Sequence, residues 1–159
     1  MPLHDRDGAA WINERRKGFT MIEVMVVLVV AAILSAVAYP SYVESVRKSR
    51  RAEGRAALMQ IMQQQERFYT QHNTYVPFSS SSTDEHEKKF KWFSGNAAKD
   101  SAYEIKAEAC SNEMIQDCVR LTAMPGTENV NTSYRDPVCG DLVLTSTGVH
   151  SADNPNCWK

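Results

Sequence analysis

Residues 19–39 form an unbroken apolar run except for Thr20, Glu23 and Ser35. As a helix this run is about 31 Å long, the thickness of a bilayer's hydrocarbon core. Arg15, Arg16 and Lys17 stand directly before it. Positive residues beside an apolar segment stay in the cytoplasm, so everything after Tyr39 is expected across the membrane. A cleavable secretory signal has a similar outline: a basic region ending at Lys17, an apolar region over 24–34 and an Ala36-Val37-Ala38 site. Two features oppose it. Glu23 puts a carboxylate where an ionised group costs about 2.5–3.5 kcal/mol near a bilayer centre, and less near a helix end. The helical pattern also continues past Tyr39 and Pro40.

Intramembrane acids generally have partners. Cleavage between Gly18 and Phe19 would give Phe19 a free α-amino group and make Glu23 the fifth residue of the mature chain. The two stand four positions apart, so an amine–carboxylate contact can form within one chain. Formed with a neighbouring chain, it would fix the axial offset between packed helices. Removing one member would leave the other charge buried and unpaired.

The sequence Gly18-Phe19-Thr20-Met21-Ile22-Glu23-Val24-Met25-Val26-Val27 resembles the processing and methylation motif of type IV prepilins and type II secretion pseudopilins. The resemblance implies cleavage after Gly18 by a membrane prepilin peptidase, N-methylation of Phe19, and pairing of Glu23 with the amino group of an adjacent subunit. Met21 departs from the commoner Leu, and the leader over 1–18 is long and contains acids.

Beyond the apolar run, Pro40 removes one helical hydrogen bond and clashes with the preceding turn, so a kink is expected there. A membrane helix that ends at Pro40, followed by a separate helix, fits the sequence equally. From 41 to about 71 the pattern is helical. Leu58, Ile61, Gln65 and Phe68, flanked by Met62 and Tyr69, recur at steps of three and four and make one apolar face. Gly54 is a local weakness of about 1 kcal/mol relative to Ala. Arg47, Lys48, Arg50, Arg51 and Arg55 read as a solvated, salt-bridged face. Acidic surfaces of neighbouring subunits and lipid head groups are the functional alternatives, with DNA a weaker third. Residues 51–54 and 65–75 resemble the region after the membrane helix in minor pilins of the PilE type.

The stretch 73–100 lacks periodicity and carries Ser79-Ser80-Ser81-Ser82 followed by a charge run over 84–89, so it reads as a surface loop. Phe90, Trp92 and Phe93 are its expected anchors in the core, and His86 is expected to be solvated rather than a metal ligand. Strands are expected over 103–109, 118–123 and 141–145, with a turn at Thr147-Gly148, a short fourth strand, and a connecting loop over 128–137. Trp158 is expected to pack back on the sheet.

Cys110, Cys118, Cys139 and Cys157 are the four cysteines. None forms a C-x-x-C pair and no histidine has finger-like spacing, so zinc is a weak reading. In an exported head they suit two disulfides, for which the count alone allows three connectivities. Cys110 and Cys118 bracket a hairpin-like turn and are paired on that ground. Cys139–Cys157 would then close a loop resembling the C-terminal disulfide-bounded loop of pilins.

The formal net charge is −1, and residues 73–159 hold eight Lys/Arg against twelve Asp/Glu. Nucleic acid is therefore not expected as a general partner of the head, although a local basic patch is compatible with that balance. The sequence contains no G-x-S-x-G, H-E-x-x-H or P-loop motif, and its acids are dispersed. Neither an enzyme activity nor a cofactor nor a metal is expected.

The resulting expectation is an α+β pilin fold: a long N-terminal helix, transmembrane and then amphipathic, packed on a small antiparallel sheet. The parts are a leader (1–18), a membrane and assembly helix (19–39), an amphipathic helix (40–72) and a globular head (73–159). The resemblance implies a subunit, of the minor kind, of a type IV pilus, supporting pilus biogenesis, twitching motility, adhesion or DNA uptake. A secretion pseudopilin and a DNA-receptor pilin are the alternatives. The implied partners are other pilins, the prepilin peptidase, the inner-membrane assembly machinery and the lipid bilayer. The head would lie in the periplasm and later on an extracellular pilus.

Overall fold

The computed structural model describes residues 18–159. The expected leader therefore lies outside the described residues except for Gly18. One helix, α1 (Met21–His72), is followed by four strands: β1 (Tyr103–Ala109), β2 (Val119–Pro125), β3 (Leu142–Thr145) and β4 (His150–Ser151). Three single-turn 3₁₀ helices lie between and after them. The chain divides into two compact units, the first ending at Ser41 and the second running from Tyr42 to Lys159.

In the first unit the helix is apolar on every side. Its residues are exposed throughout, Met21 by 85%, Leu28 by 63% and Val37 by 74%. The helix continues through Pro40, so a separate second helix starting there is not what forms.

In the second unit the four strands form one antiparallel sheet in sequence order, β1-β2-β3-β4. Alternation sets its inner face: Tyr103, Ile105 and Ala107 from β1, Val119, Leu121 and Ala123 from β2, and Leu142 from β3 are buried. Ala57, Leu58, Ile61 and Gln65 of α1 complete the core. Burying a large aliphatic side chain is worth about 1.5–3 kcal/mol, so this one stripe anchors the helix to the sheet. Gly54 now has a reason. A Cβ there would come 2.9 Å from the Tyr103 ring, so only glycine lets helix and strand approach this closely.

Two expectations are corrected in the segment before β1. The surface-loop reading holds for 79–89, but Tyr75, Val76, Phe78, Phe90 and Ser94 are buried. This segment pairs along the free edge of β1: Phe78 and Ala107 exchange backbone bonds of 3.1 and 2.9 Å, and Ile105 N–H donates to Trp92 O at 2.7 Å. That cover hides an edge that could otherwise template another strand. Glu104, whose side chain strand alternation sets opposite Tyr103 and Ile105, is buried too, its carboxylate accepting from Thr127 and Asn129 of the loop after β2. Phe90 is a core anchor stacked on Phe78, whereas Trp92 and Phe93 are only half-buried.

Cys110 is bonded to Cys118 and Cys139 to Cys157, with Cα atoms 5.4 and 5.8 Å apart. The first bridge closes the β1–β2 connection. The second ties the start of β3 to the last turn of the chain, where Trp158 Nε1–H donates to Ser151 O at 2.9 Å.

Candidate functional site: the motif-bearing helix end and the charged face of the head

Thr20 caps α1. Its hydroxyl accepts the Glu23 N–H at 3.3 Å and its carbonyl accepts the Val24 N–H at 3.2 Å. Glu23 stands in the first helical turn, where the helix dipole favours a negative charge. Phe19, directly before the cap, is 81% exposed. Gly18, Phe19 and Glu23 thus lie together at an open helix end, with the carboxylate free of any other side chain among the described residues. The only other polar side chain inside the apolar run, Ser35, donates to Ala31 O at 2.8 Å and leaves no hydroxyl proton unsatisfied.

Within the basic cluster of α1, Arg47 and Arg50 make the expected half-exposed ion pairs with Glu44 and Glu53, while Arg51 departs from that reading. Arg51 is buried, and its Nε and Nη2 grip the two oxygens of Asp136 at 2.7 Å each. Nη1 reaches Glu44 at 3.2 Å. Asp136 also accepts from the Tyr103 hydroxyl at 3.0 Å and the Cys139 N–H at 3.2 Å, and Tyr103 meets the Tyr134 hydroxyl at 3.2 Å. This fork of charge-assisted bonds joins helix, sheet and the 126–139 loop. The Asp136 hydrogen bond holds the Arg51 guanidinium well above its usual range. Burial pushes the Asp136 carboxyl up, but the Arg51, Cys139 and Tyr103 bonds outweigh it and hold the group below the ordinary carboxylate range. Burial, then the neighbouring Tyr134, raises the Tyr103 hydroxyl, so it stays a hydrogen donor. Sequence reading missed this network because Asp136 lies 85 positions from Arg51, in what reads as a connecting loop.

Arg55 is also fastened. Its Nη1 donates to Cys157 O at 2.7 Å and Lys159 O at 2.8 Å. Beside it lies a cavity of about 370 Å³ lined by Lys48, Arg51, Arg55, Asn154, Asn156 and Lys159.

At the far end of α1, Phe68 and His72 stack at 4.0 Å between centroids, and His86 approaches both edge-on. Among the described residues one group has metal-ligand spacing, Cys110, Glu113 and Cys118, and its two cysteines are already bonded to each other. Lys88, Lys89 and Lys91 are exposed beside half-exposed Trp92 and Phe93, with Lys91 Nζ 4.8 Å from the Phe93 ring centre.

Residues 40–143, more than half of the chain, match the family model described as "Type IV minor pilin ComP, DNA uptake sequence receptor". The chain belongs to this family. Residues 14–39 match a second model, the prokaryotic N-terminal methylation motif. The pilin is 31% identical over 68 residues to the type IV major pilin protein PilA of Myxococcus xanthus (strain DK1622), covering 43% of this chain. It spans 31% of that relative's length. Two solved structures are similar, each at 22% identity over 70% of this chain: a type IV pilin from Shewanella oneidensis (TM-score 0.44, 97% of that chain) and the non-core minor pilin PilV of Neisseria meningitidis (TM-score 0.45, 91% of that chain). This pilin is of the minor-pilin kind. Its apolar helix and matched motif fit membrane anchoring.

Proposed function

We propose that this minor pilin is made as a prepilin, cut between Gly18 and Phe19, N-methylated at Phe19, and stored in the inner membrane with its head in the periplasm. It then enters a type IV pilus through the same helix. The new amino group of Phe19 and the carboxylate of Glu23 set the axial register against neighbouring subunits, and Pro40 gives the helix a point at which to bend. The observation that carries this reading is the apolar helix exposed on all sides, which finds no cover among the described residues and begins at the Phe19/Glu23 motif. Non-reduced intact-mass and N-terminal analysis of the mature protein tests it: the expected product starts at N-methylated Phe19. A mature chain starting at Tyr39 sinks the reading. The Glu23→Ala variant is expected to be processed but largely absent from sheared pili.

A second reading concerns DNA. The matched family carries the words "DNA uptake sequence receptor" in its description. Lys88, Lys89 and Lys91 supply cations beside the half-exposed rings of Trp92 and Phe93, the combination that holds phosphates and stacked bases. The acidic balance of the head confines such contact to this patch. Salt-dependent binding of duplex DNA that is lost in Lys88→Gln/Lys89→Gln/Lys91→Gln supports the reading; equal binding by this variant sinks it.

A further inference from the structure

We propose that the cavity walled by Lys48, Arg55, Asn154, Asn156 and Lys159 is a binding site for the phosphate of an anionic phospholipid headgroup. The proposal rests on the membrane-anchored reading above. Among the described residues, no carboxylate side chain pairs with Lys48, Arg55 or Lys159. Arg51, on the same wall, is different: its charge is committed to Asp136 and Glu44. The two carbonyl bonds of Arg55 fix its guanidinium in place before any ligand arrives, so little side-chain freedom is lost on binding. The ammonium groups of Lys48 and Lys159, the remaining N–H groups of the fixed Arg55 guanidinium and two side-chain amides around about 370 Å³ fit one phosphodiester with its glycerol.

Two observations favour a lipid over a free anion. Lys48 comes nine positions after Tyr39, where the apolar run ends, so a headgroup is the phosphate most often within reach. Val138, 45% exposed, forms an apolar part of the wall that suits a glycerol carbon and offers nothing to inorganic phosphate. The 139–157 disulfide holds the strand side and the terminal segment of the wall together. The site would grip the subunit's own membrane while it waits, and would have to release the lipid when the subunit leaves the bilayer.

The test uses the full chain in neutral detergent micelles, following the side-chain amide resonances of Asn154 and Asn156. The probes are phosphatidylglycerol, phosphatidylcholine and inorganic phosphate. Phosphatidylglycerol is expected to give a saturable shift, and the other two to need at least about tenfold more, the scale of one lost charge-assisted contact. The Lys48→Gln/Lys159→Gln variant changes two exposed side chains and is expected to weaken phosphatidylglycerol binding about tenfold or more. The site assignment is overturned if the two lipids titrate alike, if inorganic phosphate saturates the shift at equal concentration, or if the variant binds unchanged. Anchoring is scored separately by co-sedimentation with pure phosphatidylcholine vesicles. Sedimentation without the phosphatidylglycerol shift sinks the site alone, and the shift without sedimentation sinks the anchoring reading alone.

Discussion

Met21, Leu28 and Val37 lie on the same helix as Leu58, Ile61 and Gln65, yet the first three are 85, 63 and 74% exposed and the last three 0, 3 and 0%. The apolar residues of the first set point in every direction, so no single surface could cover them; a helix of that kind needs lipid or several neighbours around it. Those of the second set form one stripe, which a four-stranded sheet covers. One element therefore serves two solvents. The head stands on internal contacts, while the motif-bearing end depends on contacts that other molecules supply. A substitution can then break one half and leave the other intact.

The sharpest way to break the head alone is Asp136→Ala, which leaves Arg51 buried without its fork. Loss of about 3–5 kcal/mol is expected in denaturant unfolding of the full chain in detergent, with the helicity of residues 21–39 unchanged. Cys139→Ser/Cys157→Ser opens an 18-residue separation and should cost about 3 kcal/mol in the same assay. Gly54→Ala pushes a methyl group against the Tyr103 ring, which Asp136 and Tyr134 hold in place, and about 1–3 kcal/mol is the expected loss. If the variant is instead stabilised, as an exposed helix glycine replaced by alanine would be, the close approach is not what demands glycine.

Acid should act on the head in a set direction. The folded state holds the Asp136 carboxyl below its ordinary range, so the unfolded chain takes up the proton first as pH falls. The stability this group contributes is present above the unfolded carboxylate value of about 4 and is lost as pH drops through the lower folded value. Unfolding midpoints measured from pH 6 downward should fall in that window, and the fall should be smaller in Asp136→Asn. The smallest effect is expected from Glu23→Ala: no change in head unfolding at all, although the same variant is expected to fail in pili. A destabilised head in that variant would erase the division between the two halves.

The strands and the helical stripe were legible because periodicity is local: the alternation of Tyr103, Ile105 and Ala107, and the three-and-four spacing of Leu58, Ile61 and Gln65, can be read in a short window. The methylation motif was legible because it is a compact run, Gly18 to Val27. What stayed hidden depends on distant pairings. Arg51 read as one more surface cation, since nothing near it announces Asp136. Glu104 alternates away from the core face of β1, and nothing near it announces Thr127 and Asn129, which bond its carboxylate from 23 and 25 positions away. Gly54 read as a weak point in the helix until the ring of Tyr103 appeared beside it. Each of these residues is explained by a partner brought close only when the sheet docks on the helix.

Gln65 has a further consequence. Its side-chain amide donates to Val76 O at 2.6 Å and accepts the Val76 N–H at 2.9 Å, so it acts as a short surrogate strand for the chain leaving the helix. Between the two, Asn73 adopts φ 54° to reverse the path. The spacing from 65 to 76 is thereby rationed to a single length, and adding or deleting one residue in it would pull both bonds apart. The Ser79–Ser82 turn is measured differently, by bonds among its own serines and one from Asn129 to Ser80.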